Sequence, residues 1–105
     1  MDARQLTRMA RRSAAALGRL GSHIGHQSGD IALAITTSNR IGCGGHDTQT
    51  VTRLNEDRMD AFFIATVEAV EEAILNALWH GVPHQGYDGS MLPSFRDRMT
   101  DFYRN

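Results

Sequence analysis

The chain has 105 residues, of which 41% are hydrophobic and 22% charged, and its formal net charge is −1. That length suits one domain at the small end of the range, where burial is marginal without partners; the near-neutral charge argues against general binding to nucleic acid or acidic membranes. A single cysteine, Cys43, excludes an internal disulfide, and no apolar run approaches the ~20 residues of a membrane span, so the expected compartment is the cytoplasm.

The charge is unevenly spread. Five arginines (Arg4, Arg8, Arg11, Arg12, Arg19) stand against Asp2 in the first twenty residues, whereas six acids (Glu56, Asp57, Asp60, Glu68, Glu71, Glu72) stand against Arg58 between Leu54 and Trp79. Two helices of opposite charge could lie side by side. A basic helix usually means a solvated face rather than a nucleic-acid footprint.

From the N-terminus, the pattern predicts a helix over Asp2 to Leu20. Leu6, Met9, Ser13, Leu17 and Leu20 recur at helical spacing, and Gly18, Gly21 and Ser22 end the run. A Gly-rich loop follows, carrying His23 and His26. With Cys43, His46, His80 or His84 these could be drawn as zinc donors, but the spacing is that of neither a zinc finger nor a zincin, and no metal is expected. A relay of Ser28, His26 or His23, and Asp30 is disfavoured because groups so close in sequence rarely fold back into that geometry.

The stretch His26 to Asn39 organises the rest. A turn carrying a hydroxyl and a carboxylate, Ser28 and Asp30, runs into an apolar strand in which Ile31, Leu33 and Ile35 alternate with Ala32, Ala34 and Thr36. The spacing by itself favours two residues that merely cap a turn.

Residues 40–53 read as a loop, with a short strand at Thr50-Val51-Thr52 expected beside the first. Gly42-Cys43-Gly44-Gly45 lacks the Lys-Ser/Thr of a phosphate loop. A long helix is predicted from Glu56 to His80, with Asn55 as N-cap and Gly81 and Pro83 as its stop. Its stripe is Met59, Phe63, Val67, Val70, Ile74 and Leu78, and Phe62, Ile64, Leu75 and Trp79 extend the apolar surface to other sides, so cover on more than one face is expected. The acids Glu68, Glu71 and Glu72 with Asn76 read as an interface or solvated face. In the tail, Tyr87-Asp88-Gly89 is a turn, and Ser94 with Asp97 opens a helix whose Phe95, Met99, Phe102 and Tyr103 share a side.

Three stretches, in this order, resemble the DmpA-like family of L-aminopeptidase/D-esterases and β-peptidyl aminopeptidases. Ser28-Gly29-Asp30-Ile31-Ala32-Leu33-Ala34-Ile35-Thr36-Thr37-Ser38-Asn39 is similar to its Ser-Gly-(Asp/Glu)-Ile-x-hydrophobic-Ala-x-Ser/Thr-Thr-x-Asn signature. Upstream, Arg4 to Ala14 resembles its Gln-Leu-x-Arg-x-Ala-x-Arg-Ala helix, with Gly18 to Ser22 after it. Downstream, Leu54 to Asp60 and Thr66 to Leu78 look like its closing helix. One departure is Gln27, bulky where the family tends to have Gly.

The resemblance implies an α+β chain that is the C-terminal, small-chain part of an αββα four-layer sandwich of the DmpA/ornithine acetyltransferase type, incomplete on its own. Residues 1–105 are then one partial domain of an N-terminal-nucleophile serine peptidase whose precursor cuts itself. The family's nucleophilic serine falls upstream of Met1. By position, Ser28 matches the serine beside that nucleophile and Asp30 the acid that orients its amine. The implied partners are the larger chain of the same precursor, further copies in a homo-oligomer, and short peptides or amino-acid amides as substrate, with no cofactor. A non-catalytic interaction module, or an acyltransferase of the ornithine acetyltransferase type, are the alternatives.

Overall fold

The structure, a computed structural model, describes residues 1–45 and 47–104; His46, weighed above as a metal donor, lies outside them. The elements in chain order are α1 (Ala3–Ala10), α2 (Ser13–Arg19), a 3-10 turn (Glu56–Arg58), α3 (Met59–His80), β1 (His84–Gln85), β2 (Met91–Leu92) and α4 (Phe95–Arg104). The class is α+β. Two compact units divide the chain, Met1–Val70 and Glu71–Asn105.

In the first unit, Asp2 opens α1 with a capping box. Its carboxylate accepts from the Gln5 N–H at 2.8 Å, and the Gln5 side chain accepts from the Asp2 N–H at 3.3 Å. The single helix expected over Asp2 to Leu20 is broken at Arg11-Arg12. There the Arg12 N–H bonds the Met9 carbonyl three residues back, at 2.8 Å, and the Ser13 hydroxyl donates to the Ala10 carbonyl at 2.8 Å. These tighter bonds replace part of the α ladder and separate α1 from α2. Gly21, at φ +90°, ends α2; Ser22 N–H reaches the Leu17 carbonyl and Gly21 N–H the Gly18 carbonyl, the pairing of a Schellman motif.

The expected apolar stripe of the first helix is also corrected. Leu6, Met9, Leu17 and Leu20 are half-buried, and the fully buried positions are Gln5 and Ala16. The face that meets α3 is built partly from arginine stems: the Arg12 guanidinium lies 3.9 Å from the centre of the Phe63 ring and that of Arg8 5.1 Å. Such contacts let long charged side chains cover an aromatic ring while their heads stay wet. Arg4 and Arg8 both pair with Glu56, so the basic and acidic segments do meet. The core of this unit is Ala16, Met59, Phe63 and Val67.

Asn55 caps the 3-10 turn, its side chain accepting from the Asp57 N–H at 3.1 Å, and α3 follows without interruption to His80, as the sequence predicts. Phe62, Ile64, Leu75, Leu78 and Trp79 remain exposed along it.

The signature stretch departs most from expectation. No strand forms over residues 31–36, and Ile31, Leu33 and Ile35 are 100%, 87% and 78% exposed. A strand exists only where a neighbour supplies its ladder, and among the described residues the ladder is confined to β1 and β2. Thr50-Val51-Thr52 forms no strand either. The side chain of Asn39 takes the neighbour's place instead, bonding both the N–H and the carbonyl of Thr52 at 2.9 Å.

In the second unit, β1 and β2 form an antiparallel hairpin with His84 opposite Leu92 and Gln85 opposite Met91. The expected turn at Tyr87-Asp88-Gly89 joins them. Gly89 sits at φ +83°, where a side chain would be strained. Asp88 accepts from the backbone and hydroxyl of Ser90 at 3.0 and 2.6 Å, which holds its carboxyl below the usual range. α4 opens on a second capping box: Ser94 Oγ accepts from the Asp97 N–H at 3.1 Å and Asp97 accepts from the Ser94 N–H at 3.1 Å. Arg96 donates to the Trp79 carbonyl at 2.8 Å and lies over the Trp79 ring.

Candidate active site

The polar pair singled out by the sequence, Ser28 and Asp30, follows a turn at His26-Gln27 that is closed by Ser28. Both its N–H and its hydroxyl reach the Gly25 carbonyl at 3.2 Å. The hydroxyl is therefore held by the turn rather than by a histidine ring. Just before it, Ile24 adopts φ +53°. A β-branched residue in the left-handed region carries local strain, and such strain is commonly found beside functional sites.

Asp30 and Ile24 line the same open groove, of about 370 Å³, whose opposite wall is α1 and α2 through Ala10, Arg11, Ala14 and Leu17. Ala32 continues that wall. A second groove, of about 250 Å³, carries on along the small face of the stretch past Ala32 and Ala34 to Ala3 and Leu6. The structure thus assigns the two candidates different surroundings. Asp30 is an exposed carboxylate on the groove, and Ser28 is an exposed hydroxyl turned to its own backbone. Nothing inside the groove is a nucleophile paired with a base. What the arrangement can do chemically is present a carboxylate to a cation or a proton-bearing amine beside a small-residue wall.

Two residues that pattern reading did not mark as functional tie the segment 52–56 to the start of the chain. Gln5 is fully buried and uses all four of its bonding positions: Oε1 accepts from Leu54 N–H (3.1 Å) and Asp2 N–H (3.3 Å), and Nε2 donates to the Leu54 carbonyl (2.7 Å) and to Glu56 (3.0 Å). Asn39, at the far end of the signature, binds Thr52 twice and donates to the Met1 carbonyl at 3.1 Å. A polar residue amid arginines gives no periodicity signal; the only hint was that both residues fall inside the motifs of the resemblance. Glu56, hydrogen-bonded foremost by Arg4 and also by Gln5, and flanked by Arg8, has its carboxyl held below the usual range. Among the described residues, no three His, Cys, Asp or Glu side chains are grouped to hold a metal.

Residues 1–92, which include both Ser28 and Asp30, match the model of peptidase family S58. The chain belongs to that family, the DmpA family. Two curated relatives are β-peptidyl aminopeptidases BapA: that of Sphingosinicella xenopeptidilytica is 43% identical over 76 residues, covering 70% of this chain and 19% of the relative. That of Sphingosinicella microcystinivorans is 39% identical over 75 residues, with the same coverage. A solved structure, the PH0078 protein from Pyrococcus horikoshii OT3, is similar with a TM-score of 0.82 at 34% identity, over 96% of this chain and 29% of that one. The chain therefore spans about a fifth of the length of the curated relatives it matches. No helix among its described residues is long and apolar enough to cross a membrane.

Proposed function

We propose that this chain is the C-terminal, small-chain portion of a DmpA-like serine aminopeptidase, which removes N-terminal residues from short peptides, amides or esters. The observation that carries the reading is the family S58 match over residues 1–92, with β-peptidyl aminopeptidases among the relatives. The exposed, unpaired signature stretch supports it. Burying Ile31, Leu33 and Ile35 on completion of a sheet would stabilise the assembly by about 1.5–3 kcal/mol for each side chain. The finished architecture is a four-layer αββα sandwich to which a larger chain of the same precursor contributes strands.

In this reading the reaction is acyl transfer to water through a serine ester. The α-amine of an N-terminal serine takes the proton from its own hydroxyl, the oxygen attacks the scissile carbonyl, and the leaving amine departs with that proton. Water then hydrolyses the ester. Asp30 accepts a hydrogen bond from the α-amine and fixes its direction; a carboxylate suits this because it holds an ammonium without competing as nucleophile. Ser28 lines the site beside the nucleophile. The larger chain furnishes the oxyanion donors and the substrate pocket.

The test is complementation. The chain is combined with the remaining segments of the peptidase, including a serine-led strand, and turnover of an aminoacyl amide is measured. Turnover that falls at least about a hundredfold in Asp30→Ala and about tenfold in Ser28→Ala is expected. A complemented assembly that is folded and inert identifies a non-catalytic module instead, and acetyl transfer from an acetylated amino acid identifies an acyltransferase.

A further inference from the structure

Gln5 and Asn39 share a target, the edge of residues 52–54. In an extended segment, residues two apart present their N–H and carbonyl to the same side. Asn39 reads both groups of Thr52 and Gln5 reads both groups of Leu54, all between 2.7 and 3.1 Å. Two side-chain carboxamides thus stand in for a neighbouring strand. The same two amides also hold the backbone that enters α1: Asn39 Nδ2 donates to the Met1 carbonyl at 3.1 Å, and Gln5 Oε1 accepts from the Asp2 N–H at 3.3 Å.

We propose that the Gln5 and Asn39 carboxamides form a clamp that sets the position of the backbone entering α1 and thereby act as positioning residues for the amine that Asp30 orients. The proposal rests on the aminopeptidase reading above, in which the nucleophile heads the strand that leads into Met1. A carboxamide is required at both places because each must donate to a carbonyl and accept from an N–H at once; no carboxylate or aliphatic chain of that size does both. Asn39 closes the signature that Ser28 opens, so the clamp connects the stretch bearing Asp30 to the backbone that, in this reading, follows the nucleophile's strand. Gln5 is fully buried with every bond made, which leaves the clamp no slack.

The experiment is a double-mutant cycle in the full-length peptidase, comparing wild type, Asn39→Ala, Asp30→Asn and the double variant on an aminoacyl amide. Asn39 is only half-buried; should the alanine variant fail to fold, Asn39→Ser takes its place in the same cycle. Each single change is expected to lower kcat at least about tenfold with KM within about threefold, and the double variant to lose no more than Asp30→Asn alone, because groups acting as a unit are non-additive. A merely structural role lowers the folded fraction and multiplies with the Asp30 effect, which overturns the clamp. Unchanged kcat in Asn39→Ala overturns it too. Unchanged kcat in Asp30→Asn overturns the reading of the site itself, and the clamp's part in catalysis with it.

Discussion

Within the first unit, the junction of α1 with residues 54–63 and the signature stretch are opposites. At the junction the buried polar side-chain atoms find partners inside the chain: Gln5 is fully bonded, Glu56 receives Arg4, Arg8 and Gln5, and Phe63 is roofed by arginines. The signature stretch has the stronger hydrophobic pattern and the weaker structure, with its large side chains in solvent and its backbone without a ladder. Regularity of pattern reports what a segment is suited to pair with; the presence of that partner decides whether it pairs.

The contrast can be broken first at the junction. Met59 is 1% exposed, so Met59→Ala is expected to cost about 2–5 kcal/mol in urea unfolding of the assembled protein; a loss no larger than that of a surface change would mean the junction is not the core. Gln5→Leu leaves the N–H and the carbonyl of Leu54 without partners and should cost about 1–3 kcal/mol for each group left unsatisfied, visible as a lowered Tm. Ser94→Ala removes the cap of α4, an element that carries its own partners, and about 0.5–2 kcal/mol of stability with it.

Acid sharpens the comparison without any cavity. The carboxyl of Glu56 is depressed in the folded chain, chiefly by its hydrogen bond from Arg4, with the Gln5 bond and the Arg4 and Arg8 charges adding and desolvation opposing. A depressed folded pKa means that its contribution is present above the unfolded value, about 4.3, and is lost as pH falls through the lower folded value. Glu56→Gln should therefore flatten the acid side of the stability curve, and thermal unfolding from pH 6 down to 2 measures it. The smallest effect belongs to the other region. Leu33→Ala, at an 87% exposed position, should change the stability of residues 1–105 alone by less than about 0.5 kcal/mol. In the two-chain peptidase proposed above, where this side chain would be buried, the same change should cost about 2–4 kcal/mol.

What the sequence disclosed follows from the same contrast. α3 and the cap of α4 were legible because their signals are local: Asn55 and Ser94 sit at N-caps, Asp97 three residues after Ser94, and apolar residues recur along the helix. The family was legible because the stretch from Ser28 to Asn39 is a chemical signature rather than a propensity. The break at Arg11-Arg12 was not, since a serine bonding back to Ala10 leaves no mark on periodicity. Nor was the role of Gln5, whose partners besides Asp2 are Leu54 and Glu56, 49 and 51 residues away along the chain. The short hairpin escaped because strands of two residues offer no alternation, although Asp88-Gly89 marked its turn. Asp30, which the signature singles out, lies on the groove.

Amide hydrogen exchange across residues 31–36 tests the central claim most directly, measured in this chain alone and in the assembled peptidase. Exchange near the unprotected rate in the chain alone and slowing of at least about a hundredfold on assembly, as expected of ladder amides near the core, is the predicted result. Equally fast exchange in an assembly that is otherwise folded would contradict it, because the signature stretch would then be no strand of the completed sheet.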